Sequence, residues 1–136
     1  MTTKTDVLQA AAHLVDAFAR EDLDAYFGCF TKDATYLFYT VDHLLTSVEE
    51  YRSTWQDWVR EDGFRVLDAT SSDQRVRVVG TMAIFTHTVR TTVETSAGQS
   101  TLHEFETIVF QVADDGRWLA VHEHLSPAPS ALRHTS

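Results

Sequence analysis

From Phe64 to Ser126 the chain carries strand signals and no helical ones, and this long block limits the possible folds more than any other feature. Valine, threonine and aromatic residues alternate with polar ones, and each run ends in a cluster of turn-forming residues. The expected strands are Phe64 to Ser71, a long one from Arg75 to Glu94, one beginning at Thr101, and one ending at Ser126. Turns are expected at Ser71-Ser72-Asp73, Ser96-Ala97-Gly98-Gln99 and Asp114-Asp115-Gly116-Arg117, with Gly80 a bulge or bend in the long strand.

The preceding half reads differently. Val7, Leu8, Ala11, Leu14, Val15 and Phe18 recur at helical spacing, and a break at Arg20-Glu21-Asp22 leads to a short helix with Leu23, Tyr26, Phe27 and Phe30. Thr35 to Thr40 is an aromatic-rich strand. Ser47 with Glu50 forms a capping box for a third helix, whose stripe is Val48, Tyr51, Trp55, Trp58 and Val59, and Gly63 suits its stop. The order α-α-β-α-β-β-β-β predicts an α+β domain: helices laid against one face of a curved antiparallel sheet, with an apolar hollow between them. All 136 residues form one domain in this reading, with a frayed tail from about Pro127.

Charge and composition narrow the partners. Twenty acidic against eleven basic residues give a formal charge of −9, which disfavours nucleic acid and anionic membranes. There is no signal-like apolar segment near the N-terminus and a single cysteine, Cys29, so a cytoplasmic location is expected. Cys29 itself reads as a small core residue.

The last hairpin concentrates ionisable groups among apolar ones, which are costly to bury without partners. Strict alternation puts Trp118, Ala120, His122, His124 and Ser126 on one face, and Leu119, Val121, Glu123 and Leu125 on the other. On the neighbouring strand Glu104, Glu106, Ile108, Phe110 and Val112 share a face.

The segments EDLDAYFGCFTKDATYLF and DGRWLAVHEHLSPAP, with the capped helix between them, resemble the NTF2-like superfamily, and within it the SnoaL-like and ketosteroid-isomerase-like small proteins. The chain is similar also to the association domain of calcium/calmodulin-dependent protein kinase II, which has a comparable Gly-x-Trp followed by His-x-His-x-Ser. The resemblance runs from about Thr5 to Pro127 and implies a cone-shaped half-barrel around three helices, with a central pocket and a homodimer through the outer sheet face. Leu119, Val121 and Leu125 would supply an apolar row for that face. Between Ala34 and Tyr39, where the isomerases place a catalytic aspartate, the chain has no acid, and Ile108 falls where the kinase domain has a pocket arginine.

The chemistry expected of such a pocket is cofactor-free acid/base catalysis, of the isomerase, cyclase or dehydratase type, on a small apolar carbonyl compound. His122 is the expected proton carrier, Glu106 its partner, and His124 and His87 further catalytic groups. Tyr36, Phe38, Tyr39, Trp55, Phe85, Glu104, Ile108 and Trp118 are the expected ligand contacts, with Tyr26 and Trp58 as further walls. A tyrosine, Tyr36 or Tyr39, would serve an enolate-like oxygen. The bland alternative is a closed polar network in a non-catalytic binding or dimerisation module. A metal held by the two histidines with His87 or Glu106 is a weaker option; the reading adopted has no metal and no cofactor.

Overall fold

The computed structural model describes residues 3–129. Three helices, α1 (Thr3–Ala19), α2 (Leu23–Phe27) and α3 (Val48–Asp62), accompany five strands: β1 (Phe30–Phe38), β2 (Arg65–Val79), β3 (Met82–Thr95), β4 (Gly98–Val112) and β5 (Trp118–Pro127). The architecture is the expected α+β one. The strands form one sheet in the order β1-β5-β4-β3-β2. Neighbours are antiparallel except β1 and β5, which run parallel, so the sheet is mixed rather than wholly antiparallel.

Local chemistry accounts for the third helix. Ser47 Oγ accepts from the Glu50 backbone N–H at 3.0 Å, which closes the first turn. The Glu50 carboxylate accepts from the Thr46 N–H at 2.8 Å, one residue before the position a standard capping box would use. At the other end Gly63 adopts φ 64°, a left-handed conformation that an L side chain resists.

The β2–β3 boundary lies elsewhere than expected. Ser71-Ser72-Asp73 is not a turn: β2 runs through it with a shift of register between Ser72 and Arg75, and Asp73 takes φ 52°. The chain reverses instead at Gly80, with φ 61°, where Val79 pairs with Met82. Both sites carry turn-type residues, and a bulge uses the same ones. At the C-terminal end Pro127 still belongs to β5. Ala128 is buried and its N–H donates to the His103 carbonyl at 2.9 Å, so these two positions are not frayed. The rest of the expected tail, 130–136, lies outside the described residues.

The core fills the space between the helices and one sheet face. Val7, Leu14, Tyr26, Tyr51 and Trp55 come from the helices, and Tyr36, Phe85, Ile108 and Phe110 from the sheet. Aromatic rings dominate, with Tyr51 touching Tyr26, Phe27, Tyr36, Phe38, Trp55 and Trp58 edge-on or tilted. Among the described residues no helix is long and apolar enough to cross a membrane.

Candidate functional site

A bulge in β5 sets the site. Val109 pairs with His122, yet the next residue of β4, Phe110, pairs with Ala120, leaving Val121 as an extra residue in β5. One extra residue reverses the alternation of every side chain beyond it. Ala120 points into the core, and after the bulge it is Glu123, not His122, that continues the inner row opposite Ile108. Glu123 is only 4 % exposed.

The expected face of Trp118, Ala120, His122, His124 and Ser126 is therefore corrected. His122 and His124 lie on the outer side of the sheet, with His122 Nδ1 2.7 Å from Thr35 Oγ1 and the two imidazoles 6.3 Å apart. Neither lines the internal cavity. Leu125 moves the other way, out of the expected outer row and into the cavity wall. A metal set joining these histidines with His87 or Glu106 is not assembled, because the sheet separates them. Among the described residues no three His, Cys, Asp or Glu side chains are grouped to hold a metal ion.

The cavity holds about 220 Å³ and lies between the helices and the inner faces of β3, β4 and β5. Phe18, Phe38, Trp55, Trp58 and Phe64 give it aromatic walls, while four acids line it: the buried Glu104, Glu106 and Glu123, and the exposed Asp62. Of the expected ligand contacts, Phe38, Trp55 and Glu104 line it. Tyr36, Phe85 and Ile108 are instead fully buried core residues and Trp118 packs against the core, because the cavity occupies only one end of the inner face. Tyr39 is largely exposed, but its hydroxyl donates to Glu104 Oε2 at 2.5 Å. The walls expected from Tyr26 and Trp58 are present.

Hydrogen bonds converge on Glu106 from two sides. From one side Gln74 Nε2 donates to Ser71 Oγ at 2.9 Å. Ser71 Oγ lies 2.6 Å from His87 Nδ1, and His87 Nε2 lies 2.6 Å from Glu106 Oε1. Burial lowers the His87 pKa to about 4, so the ring is neutral and carries one proton. With Ser71 accepting from Gln74, its own hydroxyl serves Nδ1, which leaves the Nε2 proton for Glu106.

From the other side, the Tyr26 and Tyr51 hydroxyls are 3.0 Å apart and Tyr26 donates to Glu123 Oε1 at 3.3 Å. Glu123 and Glu106 share a hydrogen bond. Burial, then the charge of Glu106, hold Glu123 well above the usual carboxylate range, so Glu123 keeps its proton and donates it. Burial also raises Glu106, to about 7, with the bond from Glu123 acting against that rise. The result is a carboxyl–carboxylate pair sharing one proton, the negative charge resting on Glu106. Burial pushes the Cys29 thiol up to about 11, and its Sγ donates to the Ala25 carbonyl, consistent with a packing residue.

Glu123 is the residue that sequence reasoning missed. It stands between two histidines, and strict alternation assigned it to the outer face. The one available signal was a charged side chain in a row with Val121 and Leu125, where a buried acid and a surface acid look alike.

The SnoaL-like domain profile matches residues 7–130, nearly the whole chain. The chain belongs to the SnoaL-like domain family. Its fold is shared with an NTF2-like protein from Cytophaga hutchinsonii, at a TM-score of 0.80 and 12 % identity, covering 94 % of this chain and 100 % of that one. A ketosteroid isomerase-like protein from Erwinia carotovora atroseptica superimposes with a TM-score of 0.76 at 16 % identity, over 92 % of this chain and 96 % of its own. The CaMKII hub of S. rosetta gives 0.74 at 23 % identity, over 91 % and 95 %. No curated protein sequence matches the chain. A SnoaL-like fold holds both enzymes and binding proteins, so the fold leaves the activity to be argued from the cavity.

Proposed function

We propose that this SnoaL-like protein performs cofactor-free proton transfer on a small, largely apolar carbonyl compound, with Glu106 as the base. The observation that carries the proposal is the convergence of two donor chains on one buried carboxylate inside an apolar cavity. A base in such a place, with its pKa near 7, is both ionised in part at neutral pH and strong enough to take a proton from carbon next to a carbonyl.

In the step proposed, Glu106 removes the α-proton and the C–H electron pair becomes the new C=C bond. The carbonyl π pair moves onto oxygen; as Glu106 takes up the α-proton and ceases to hold the Glu123 proton, the Glu123 carboxylic acid, backed by Tyr26 and Tyr51, turns its hydrogen bond to the developing oxyanion. In a substrate with a β,γ double bond the oxygen pair re-forms the C=O, the enolate C=C shifts to the α,β position and the γ-carbon takes the proton back from Glu106, which completes an isomerisation. Without that double bond the proton returns to the α-carbon as exchange. His87 is a positioning residue here, holding Glu106 from behind; Ser71 and Gln74 fix its ring. The expected proton carrier, His122, gives way to Glu106 in this proposal because it does not reach the cavity.

The proposal includes a homodimer through the outer sheet face and a cytoplasmic setting. Leu37, Ile84 and Phe105, each about two-fifths exposed, are the apolar side chains that support a partner surface there, replacing the row expected from Leu125.

The test is exchange of α-hydrogens for deuterium in β-tetralone, followed by proton NMR in heavy water. Wild-type protein is expected to accelerate exchange, and Glu106→Gln to lower that acceleration by about a hundredfold or more. A folded wild-type protein without acceleration across a panel of such ketones would favour a non-catalytic binding module instead.

A further inference from the structure

Glu104 is a buried acid that the proposed proton transfer does not use. It sits on the inner face of β4, two residues before Glu106, opposite Val89 on β3 and Pro127 on β5. It is only 4 % exposed and lines the cavity, taking a hydrogen bond from the Tyr39 hydroxyl. None of the described residues lining that cavity is Lys, Arg or His. Its carboxyl thus lies in an apolar setting with a neutral donor and no basic wall residue.

That arrangement has a chemical complement. An ionised carboxylate buried this way costs free energy until an opposite charge arrives with a ligand. Phe18, Phe38, Trp55, Trp58 and Phe64 present ring surfaces to the same space, and aromatic faces attract cations and repel anions. A carboxylate-bearing ligand would meet four acidic side chains, Asp62, Glu104, Glu106 and Glu123. A purely neutral one would leave Glu104 uncompensated. Only a cation gains from both the acid and the rings.

We infer that the ligand of this cavity carries a protonated amine, paired with Glu104 among the aromatic walls, with its carbonyl end toward Glu106 and Glu123. The inference rests on the reading of this cavity as the functional site and adds the substrate class: a small amino ketone or related amine, not an acid. A volume of about 220 Å³ admits on the order of ten non-hydrogen atoms at protein-like packing. Burial raises the Glu104 carboxyl above its usual range, and an ammonium paired with it would oppose that rise by favouring the charged form.

Isothermal titration of the full chain with phenethylamine, phenethyl alcohol and hydrocinnamate compares cation, neutral and anion on one carbon frame. The amine is expected to bind at least about tenfold more tightly than the alcohol, with the acid weakest. Glu104→Gln keeps the shape and an acceptor for Tyr39, and is expected to bring the amine down to the affinity of the alcohol. Equal binding of amine and alcohol by the wild-type protein would overturn the inference, as would an amine preference that survives in Glu104→Gln. The β-tetralone exchange of the wild-type protein needs no amine. Exchange without amine preference would sink only the present inference, whereas amine preference without exchange would sink only the proton-transfer proposal.

Discussion

His87 Nε2 lies 2.6 Å from Glu106 Oε1, in a pair whose side chains are 0 % and 9 % exposed, and the proton between them belongs to the histidine. Burial disfavours charge on both groups, lowering the imidazole pKa and raising the carboxyl pKa. The pair is therefore a neutral donor on a carboxylate whose charge depends on pH, rather than a fixed ion pair.

Stability should fall as pH rises through neutrality. Glu106 and Glu123 have folded pKa values above their unfolded ones, so their contribution is full below the unfolded carboxyl range and is lost as pH rises through the folded values, about 7 for Glu106. His87 has the opposite sign: its lowered value, about 4, makes the protein lose stability on acidification from the ordinary histidine range downward. Between the two ordinary ranges the effects oppose each other; above the histidine range only the carboxyls remain. Thermal denaturation is expected to give a lower Tm at about pH 8 than at about pH 6, and a flatter profile in the Glu106→Gln, Glu123→Gln double variant. A wild-type Tm that climbs over that interval would contradict the assignment.

The outer histidines should matter little to proton transfer. His122→Ala and His124→Ala each keep the β-tetralone exchange rate within about threefold of wild type, because the sheet lies between these rings and the cavity. A hundredfold loss in either variant would show that the imidazole reaches the substrate after all.

Association should depend on the face that carries those histidines. Phe105 is 39 % exposed there and lies opposite Ser126 on β5 and Thr88 on β3. Phe105→Glu places a charge in the proposed dimer interface and is expected to yield a monomer with an unchanged circular dichroism spectrum. Light scattering coupled to size exclusion reads the mass, and a wild-type monomer would refute the dimer outright.

One buried hydroxyl is a stability liability. Tyr36 OH has no hydrogen-bond partner among the described residues, although the ring is fully buried and packs 4.5 Å from Tyr51 between centroids. Tyr36→Phe keeps the ring and removes the unpaired group, so it is expected to leave stability equal or to raise it by roughly 1 kcal/mol. Denaturant titration measures the change, and a loss of similar size would mean the hydroxyl is paired in solution.

The sequence by itself determined the elements and their order, since each rests on signals within a few residues: the Ser47 cap, the Gly63 stop, the apolar stripe of α1 and the turn at Asp114 to Arg117. It also marked the last hairpin as the place where acids and imidazoles gather. Tertiary structure decided which of them face the cavity. Val121 has no residue opposite it in β4, and that single unpaired position sends Glu123 inward and both histidines outward. The β-branched Val121 looks the same whether it continues a ladder or bulges from one. The choice depends on how β5 meets β4 on one side and β1 on the other, and pairing between distant segments leaves no mark in the local pattern of residues.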